Sequence, residues 1–179
     1  MPRIAPVVSE SVDSKVATTL SQLKARGGKL PNLFPTLAQA PVALEGFLSL
    51  SKALSRGRLS ARQREILALA IAQENECQYC LSAHTEGAKA VGLSTAETLK
   101  ARAGSSEDPF ERALVAFTKN IVRQRGLVSD QALDLARKAG IDDSLILEIV
   151  AVVALNTLTN YTNRLADTEI DSPVVQVEL

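Results

Sequence analysis

The chain has 179 residues, 46% of them apolar in type and 22% charged, with 20 basic and 20 acidic side chains that cancel to a net charge of zero. That length can bury a core without disulfide or metal staples, and the charge balance requires no basic face, which argues against nucleic acid or an anionic membrane as partner. The N-terminus, Met1 to Pro6, lacks the apolar run of a signal peptide. The most apolar stretch, Leu145 to Leu158, is shorter than a bilayer span and carries Glu148 and Asn156, so a cytoplasmic protein with no membrane segment is expected.

In chain order, Ser11 or Asp13 starts a short helix that runs to Gly27 and Gly28, and Leu30-Pro31-Asn32-Leu33-Phe34-Pro35 reads as a turn-rich link. Pro41 sits in the first turn of a helix ending near Gly57, because proline there sacrifices no intrahelical bond. Ser60-Ala61-Arg62-Gln63 has the form of a capping box and opens a helix through Glu74. The next helix runs from about Cys77 to Val91 and stops at Gly92. Ser94 to Glu97 is a second capping box, with its helix ending at Gly104. Asp108-Pro109 starts a helix that ends before Gly126, Ser129 starts another closed by Gly140, and Asp142 caps the longest, to about Asp167. The tail from Val174 to Leu179 is expected to be extended, and six residues do not make a sheet. The fold class is all-α.

Residues Leu145 to Leu155 are apolar almost all the way round, so that helix is expected to be buried on most sides. A second subunit covering one side makes a homo-oligomer, and the alternative is a central helix within a single bundle.

The chemistry concentrates in Cys77-Gln78-Tyr79-Cys80-Leu81-Ser82-Ala83-His84, which holds both cysteines and the single histidine. On a helix of about 3.6 residues per turn, these three side chains project within an arc of roughly 60°. Helical neighbours three apart have Cβ atoms about 5–6 Å apart, and a disulfide needs about 3.5–4.5 Å, so a modest adjustment in the first turn closes the pair. Asn75 is a candidate N-cap for that start. A helix N-terminus favours a thiolate, whereas an ordinary thiol near pKa 8.5 is only about 3% ionised at pH 7. His84 lies one turn beyond Cys80 and is placed to take its proton. Glu65, on the preceding helix before a run of apolar residues, fits either a carboxylate partner for His84 or a solvent-facing partner for Arg62. Tyr79 fits aromatic packing better than a hydroxyl role, and Glu76 and Glu86 read as solvated charges.

Glu65, Cys77-Gln78-Tyr79-Cys80 and His84 together resemble the Glu, Cys-x-x-Cys, x-x-x-His pattern of AhpD-like alkylhydroperoxidases, in the carboxymuconolactone decarboxylase superfamily. Leu30-Pro31-Asn32-Leu33-Phe34 with Ala40-Pro41, and Asn163-Arg164-Leu165-Ala166-Asp167, are similar to flanking segments of its peroxidase-related members. The likeness spans about Gly28 to Asp171, as the core of a single domain over residues 1–179 with a short N-terminal segment and a tail. It implies an all-helical fold in trimers, hexamers or other homo-oligomers, and a thiol peroxidase with no metal or organic cofactor. By the same resemblance Cys80 is the nucleophile toward peroxide, Cys77 resolves it as a disulfide, Glu65 and His84 form a proton relay, and a dithiol reductant resets the pair. Tyr79 departs from relatives that carry a relay histidine there. The helix dipole favours Cys77 as the more acidic thiol, and the nearby base favours Cys80.

Three rival readings accompany this one. A lactone decarboxylase of the same superfamily lacks the cysteine pair. A zinc module would use Cys77, Cys80 and His84 with Glu65 or water, but structural zinc sites draw on two ligand pairs and no second pair exists here. A peroxide-responsive redox sensor or disulfide reductase would use the same thiols with little turnover.

Overall fold

Side-chain caps set most of the helix starts. In the computed structural model, which describes residues 1–8 and 12–179 apart from the side chains at 26 and 27, Asp13 accepts from the backbone N–H groups of Lys15 and Val16 and opens α1 (Ser14–Gly27). The alternative start at Ser11 lies outside the described residues. Ser60 and Gln63 form the expected capping box before α4 (Ala61–Glu74), and Ser94 and Glu97 do so before α6 (Thr95–Ala103). Asp108, Ser129 and Asp142 cap α7 (Pro109–Gln124), α8 (Asp130–Lys138) and α9 (Asp143–Ala166). Each such cap satisfies a backbone donor that the first turn leaves unpaired. Among the described residues there is no strand.

Two boundaries differ from expectation. The turn-rich link contains a short helix, α2 (Leu33–Leu37), whose entry is held from outside: the Asn32 N–H donates to the Asp171 carboxylate at 2.8 Å. Long-range pairing of this kind leaves no local pattern. The helix opened by Pro41, α3 (Pro41–Leu54), ends three residues before Gly57. Glu148 of α9 then accepts from the N–H groups of Arg58 and Leu59, both at 2.9 Å, and lies so close to Gly57 that a Cβ there would collide with the carboxylate.

The helix enclosed on all sides is α4, not α9. Leu67, Leu69, Ala70, Ile71 and Ala72 are fully buried, and α4 packs against α5 (Gln78–Ala90), α6, α7 and α9. Burying a leucine or isoleucine of this kind contributes about 1.5–3 kcal/mol. Helix α9 presents a polar stripe inward, Asn156, Thr159, Asn160 and Asn163, below the buried Leu145, Ile149 and Val152. Its opposite face is open: Leu147 is 70% exposed and Tyr161 and Leu165 are each 60% exposed, with Val150 and Leu158 also exposed. The expectation of a helix buried on most sides is therefore corrected for the isolated chain. Helix α9 has 24 residues and contains an 18-residue stretch of mean hydropathy 1.5, so by length and composition it could cross a bilayer. Its Glu148, Asn160 and Asn163 bond to other elements of the bundle.

The tail is irregular and docked. Buried Arg102 donates to the carbonyls of Gln176, Val177 and Glu178 at 2.7, 3.0 and 3.2 Å, and the Val175 N–H donates to Ser82 Oγ at 3.0 Å. These bonds fasten it across α5 and α6.

Candidate redox-active site

The chain reverses between α4 and α5 in three residues, 75–77. Asn75 ends α4, Glu76 takes a left-handed φ of 51°, and the Cys77 N–H returns to the Ala72 carbonyl at 2.9 Å. Asn75 is thus not the N-cap of α5. Its side chain donates to Asn160 Oδ1 at 2.9 Å, and Cys77 itself caps the helix by accepting from the Cys80 N–H at 3.3 Å. Because Cys77 stands outside the helix, at φ −92° and ψ 94°, its sulfur folds back over the first turn. The Cα atoms of Cys77 and Cys80 are 5.3 Å apart and the sulfurs are joined as a disulfide. Both residues are buried, at 1% and 3% exposure.

One and two turns farther along α5 stand His84 and Gly87. His84 Nδ1–H donates to Glu65 Oε2 of α4 at 2.9 Å, which leaves Nε2 as the nitrogen free to exchange a proton. Burial pushes the His84 pKa down, but the Glu65 charge and hydrogen bond outweigh it, and the net shift is upward. Arg62, the alternative partner for Glu65, is occupied by Glu111 at 2.8 Å and Glu97 at 2.6 Å. Gly87 leaves room for the pair: a Cβ there would lie 3.0 Å from Glu65 Oε2 and 3.2 Å from its Cδ, close enough that the carboxylate would have to shift by a few tenths of an ångström. Sequence reasoning missed Gly87, although a glycine inside a helix, where it costs about 0.5–1 kcal/mol relative to alanine, points to close approach of another group.

Tyr79 is buried and accepts from the Leu33 N–H at 3.2 Å, tying α5 to the start of α2. Its pKa is raised chiefly by burial, with the nearby Asp171 charge acting in the same direction against the Leu33 bond, so the phenol stays protonated. Glu86 is exposed, and Glu76 is exposed with Arg164 3.6 Å away.

Two hollows meet at the disulfide. A cavity of about 640 Å³ reaches Cys80 and His84 between the apolar walls Leu23, Leu33, Phe34, Phe47 and Leu155. A more polar cleft of about 700 Å³ reaches Cys77 beside Glu76, Arg164 and Asp167. Asn163 lines both, and its Nδ2 lies 3.4 Å from Cys80 Sγ. The sequence carries a readable sign of this side: Asn156, Thr159, Asn160 and Asn163 repeat at i, i+3, i+4, i+7 on an otherwise apolar helix. Among the described residues no cluster of three or more His, Cys, Asp and Glu is arranged to hold a metal.

Known proteins resemble this chain in sequence and in fold. Residues 41–108, from α3 to the start of α7, match the sequence model of the carboxymuconolactone decarboxylase family. Uncharacterized protein 4 in the cox locus of Paracoccus denitrificans is 30% identical over 81 residues, covering 41% of this chain and 73% of that protein. A peroxidase-related protein with an alkylhydroperoxidase AhpD core from Ralstonia eutropha JMP134 superposes with a TM-score of 0.86 at 20% identity, covering 95% of this chain and 92% of that one. A peroxidase-related protein from Silicibacter sp. TM1040 gives 0.82 at 18% identity, covering 94% and 91%. The debrominase Bmp8, as a cysteine-to-alanine variant in complex with 2,3,4-tribromopyrrole, gives 0.77 at 17% identity, covering 94% and 91%. The family match spans the helices that carry the site and the shared fold spans nearly the whole chain: this protein belongs to the carboxymuconolactone decarboxylase family and has the AhpD-like helical fold.

Proposed function

We propose that the protein is a thiol-dependent peroxidase that reduces alkyl or hydrogen peroxides at Cys80. The observation that carries this reading is a bonded Cys77–Cys80 pair opening on the same cavity as a histidine held by a carboxylate from the neighbouring helix. In the reduced protein His84 Nε2 takes the Cys80 proton, and Glu65 stabilises the resulting imidazolium. The Cys80 sulfur pair attacks the terminal peroxide oxygen, an S–O bond forms, and the O–O bond breaks. The peroxide's hydroxyl stays on sulfur as sulfenic acid, and the departing alkoxide or hydroxide takes the proton from His84. Cys77 then attacks Cys80, the disulfide forms, and water leaves. A dithiol of external origin reduces the pair by thiol–disulfide exchange and is itself oxidised to a disulfide.

Two parts of the reading concern the assembly and the partner. The open apolar face of α9, from Leu147 to Leu165, is assigned to contact between copies in a homo-oligomer. The reductant belongs to the dithiol class, its identity being open to the same assay. The test is sustained consumption of cumene hydroperoxide or hydrogen peroxide by the reduced protein with excess dithiothreitol. Turnover beyond one equivalent per site supports the peroxidase. A single equivalent consumed, with no recycling by any dithiol, supports the redox-sensor alternative instead.

A further inference from the structure

We infer that Asn163 is a catalytic residue of this site, whose carboxamide N–H donates to the Cys80 sulfur and favours it as the thiolate. Asn163 is 4% exposed, and its Nδ2 is 3.4 Å from Cys80 Sγ. What separates it from a scaffold residue is the destination of its bonds. Its neighbours on α9 serve the fold: Asn156 Nδ2 donates to the Val152 carbonyl, and Asn160 Oδ1 accepts from Asn75. Asn163 Nδ2 turns to the sulfur, and among the described residues Oδ1 is buried without a hydrogen-bond partner. Asn160 likewise leaves one buried amide atom, Nδ2, without a partner among the described residues, so it is the bond to the sulfur that distinguishes Asn163.

The physical consequence follows from charge. A disulfide sulfur is a weak acceptor, whereas a thiolate is an anion, and a hydrogen bond to the charged form strengthens and lowers the pKa of the group. The ionisable side chains lining the Cys80 cavity are Lys29, Tyr79, His84, Glu86 and Asp171, with Glu65 behind His84. None of them comes from α9, so Asn163 supplies a donor from a different helix than the base. Loss of about one pKa unit of stabilisation would cut the thiolate fraction about tenfold at pH well below the midpoint. Thiolate nucleophilicity rises as pKa rises, with a Brønsted slope of about 0.4–0.5, so the net fall in attack rate is smaller, about threefold to fourfold.

The significance of this role rests on the peroxidase reading, but its test does not. The Cys77→Ser protein keeps a good N-cap and has one thiol, whose ionisation is followed by ultraviolet thiolate absorbance against pH. Adding Asn163→Leu, nearly isosteric, or Asn163→Ala is expected to raise that midpoint by about one unit and to slow alkylation by iodoacetamide at neutral pH by severalfold. Asn163→Leu also removes the orphaned oxygen, so its thermal stability is expected to hold while the thiol midpoint rises, a split that a purely structural role would not produce. Unchanged midpoints in both variants would overturn the inference. A shifted midpoint in a protein that consumes no peroxide would retain Asn163's effect on the thiol and discard the peroxidase reading.

Discussion

In the proposed reaction His84 and Glu65 carry the proton traffic, and their coupling is directly measurable because the chain has one histidine. The upward shift predicts an imidazole NMR titration midpoint above 6.5, and Glu65→Gln is expected to lower it, since burial then acts without its opponent. A folded-state pKa raised above the unfolded value means that protonated His84 stabilises the fold. That contribution is complete below about pH 6.5 and is lost as pH rises through the folded midpoint. Glu65→Gln should flatten this part of the stability profile in denaturant titrations at several pH values. Gly87→Ala makes a sharper version of the same claim. Its added methyl presses on the Glu65 carboxylate, so the His84 midpoint is expected to fall while helix propensity changes stability by about 0.5–1 kcal/mol in the favourable direction. An unchanged midpoint in Gly87→Ala would show that the close approach is not needed.

At the scale of elements, the reversal at residues 75–77 and the docked tail organise the site. Helix α5 starts at the cysteine itself, so Cys77 serves both as N-cap and as disulfide partner. The capping boxes at Ser60 and Ser94, the first-turn prolines and the Asp142 cap are legible in the sequence because each is a local pattern of a few residues. The site's spacing is legible for the same reason, down to the first-turn adjustment that joins the sulfurs. Asn75 reads locally as the N-cap of α5, but it closes α4 instead and its side chain bonds to Asn160, 85 residues away. The α2 turn is hidden likewise, being held by Asp171. For Glu65, local pattern leaves two partners open, and it is the occupation of Arg62 by Glu111 and Glu97 that decides the geometry. Arg102 provides the element-scale prediction. Arg102→Ala removes the bonds to three tail carbonyls and is expected to cost about 1–3 kcal/mol. It should also speed backbone hydrogen exchange at residues 175–178, and unchanged exchange there would refute the fastening role.

For the whole molecule, the fold places polar residues of α9 inward at the thiols and apolar residues outward. Apolar patterning alone suggests a helix covered on most sides; three-dimensional packing shows that α4 holds that position and that α9 divides its faces. An open row containing Leu147, Leu158, Tyr161 and Leu165 is the surface assigned to self-association. Leu158→Asp combined with Tyr161→Asp should therefore lower the molar mass measured by light scattering toward that of a 19.1 kDa monomer, whereas an unchanged mass would place the interface elsewhere. The central claim concerns Cys80. Single-turnover consumption of one equivalent of peroxide, followed with thiol counting in the reduced protein and in Cys77→Ser and Cys80→Ser, tests it most directly. The account predicts loss of two thiols in the parent, one equivalent consumed by Cys77→Ser with a trappable sulfenic acid, and a rate at least about a hundredfold lower in Cys80→Ser. Peroxide consumption by Cys80→Ser at the parent rate would contradict it.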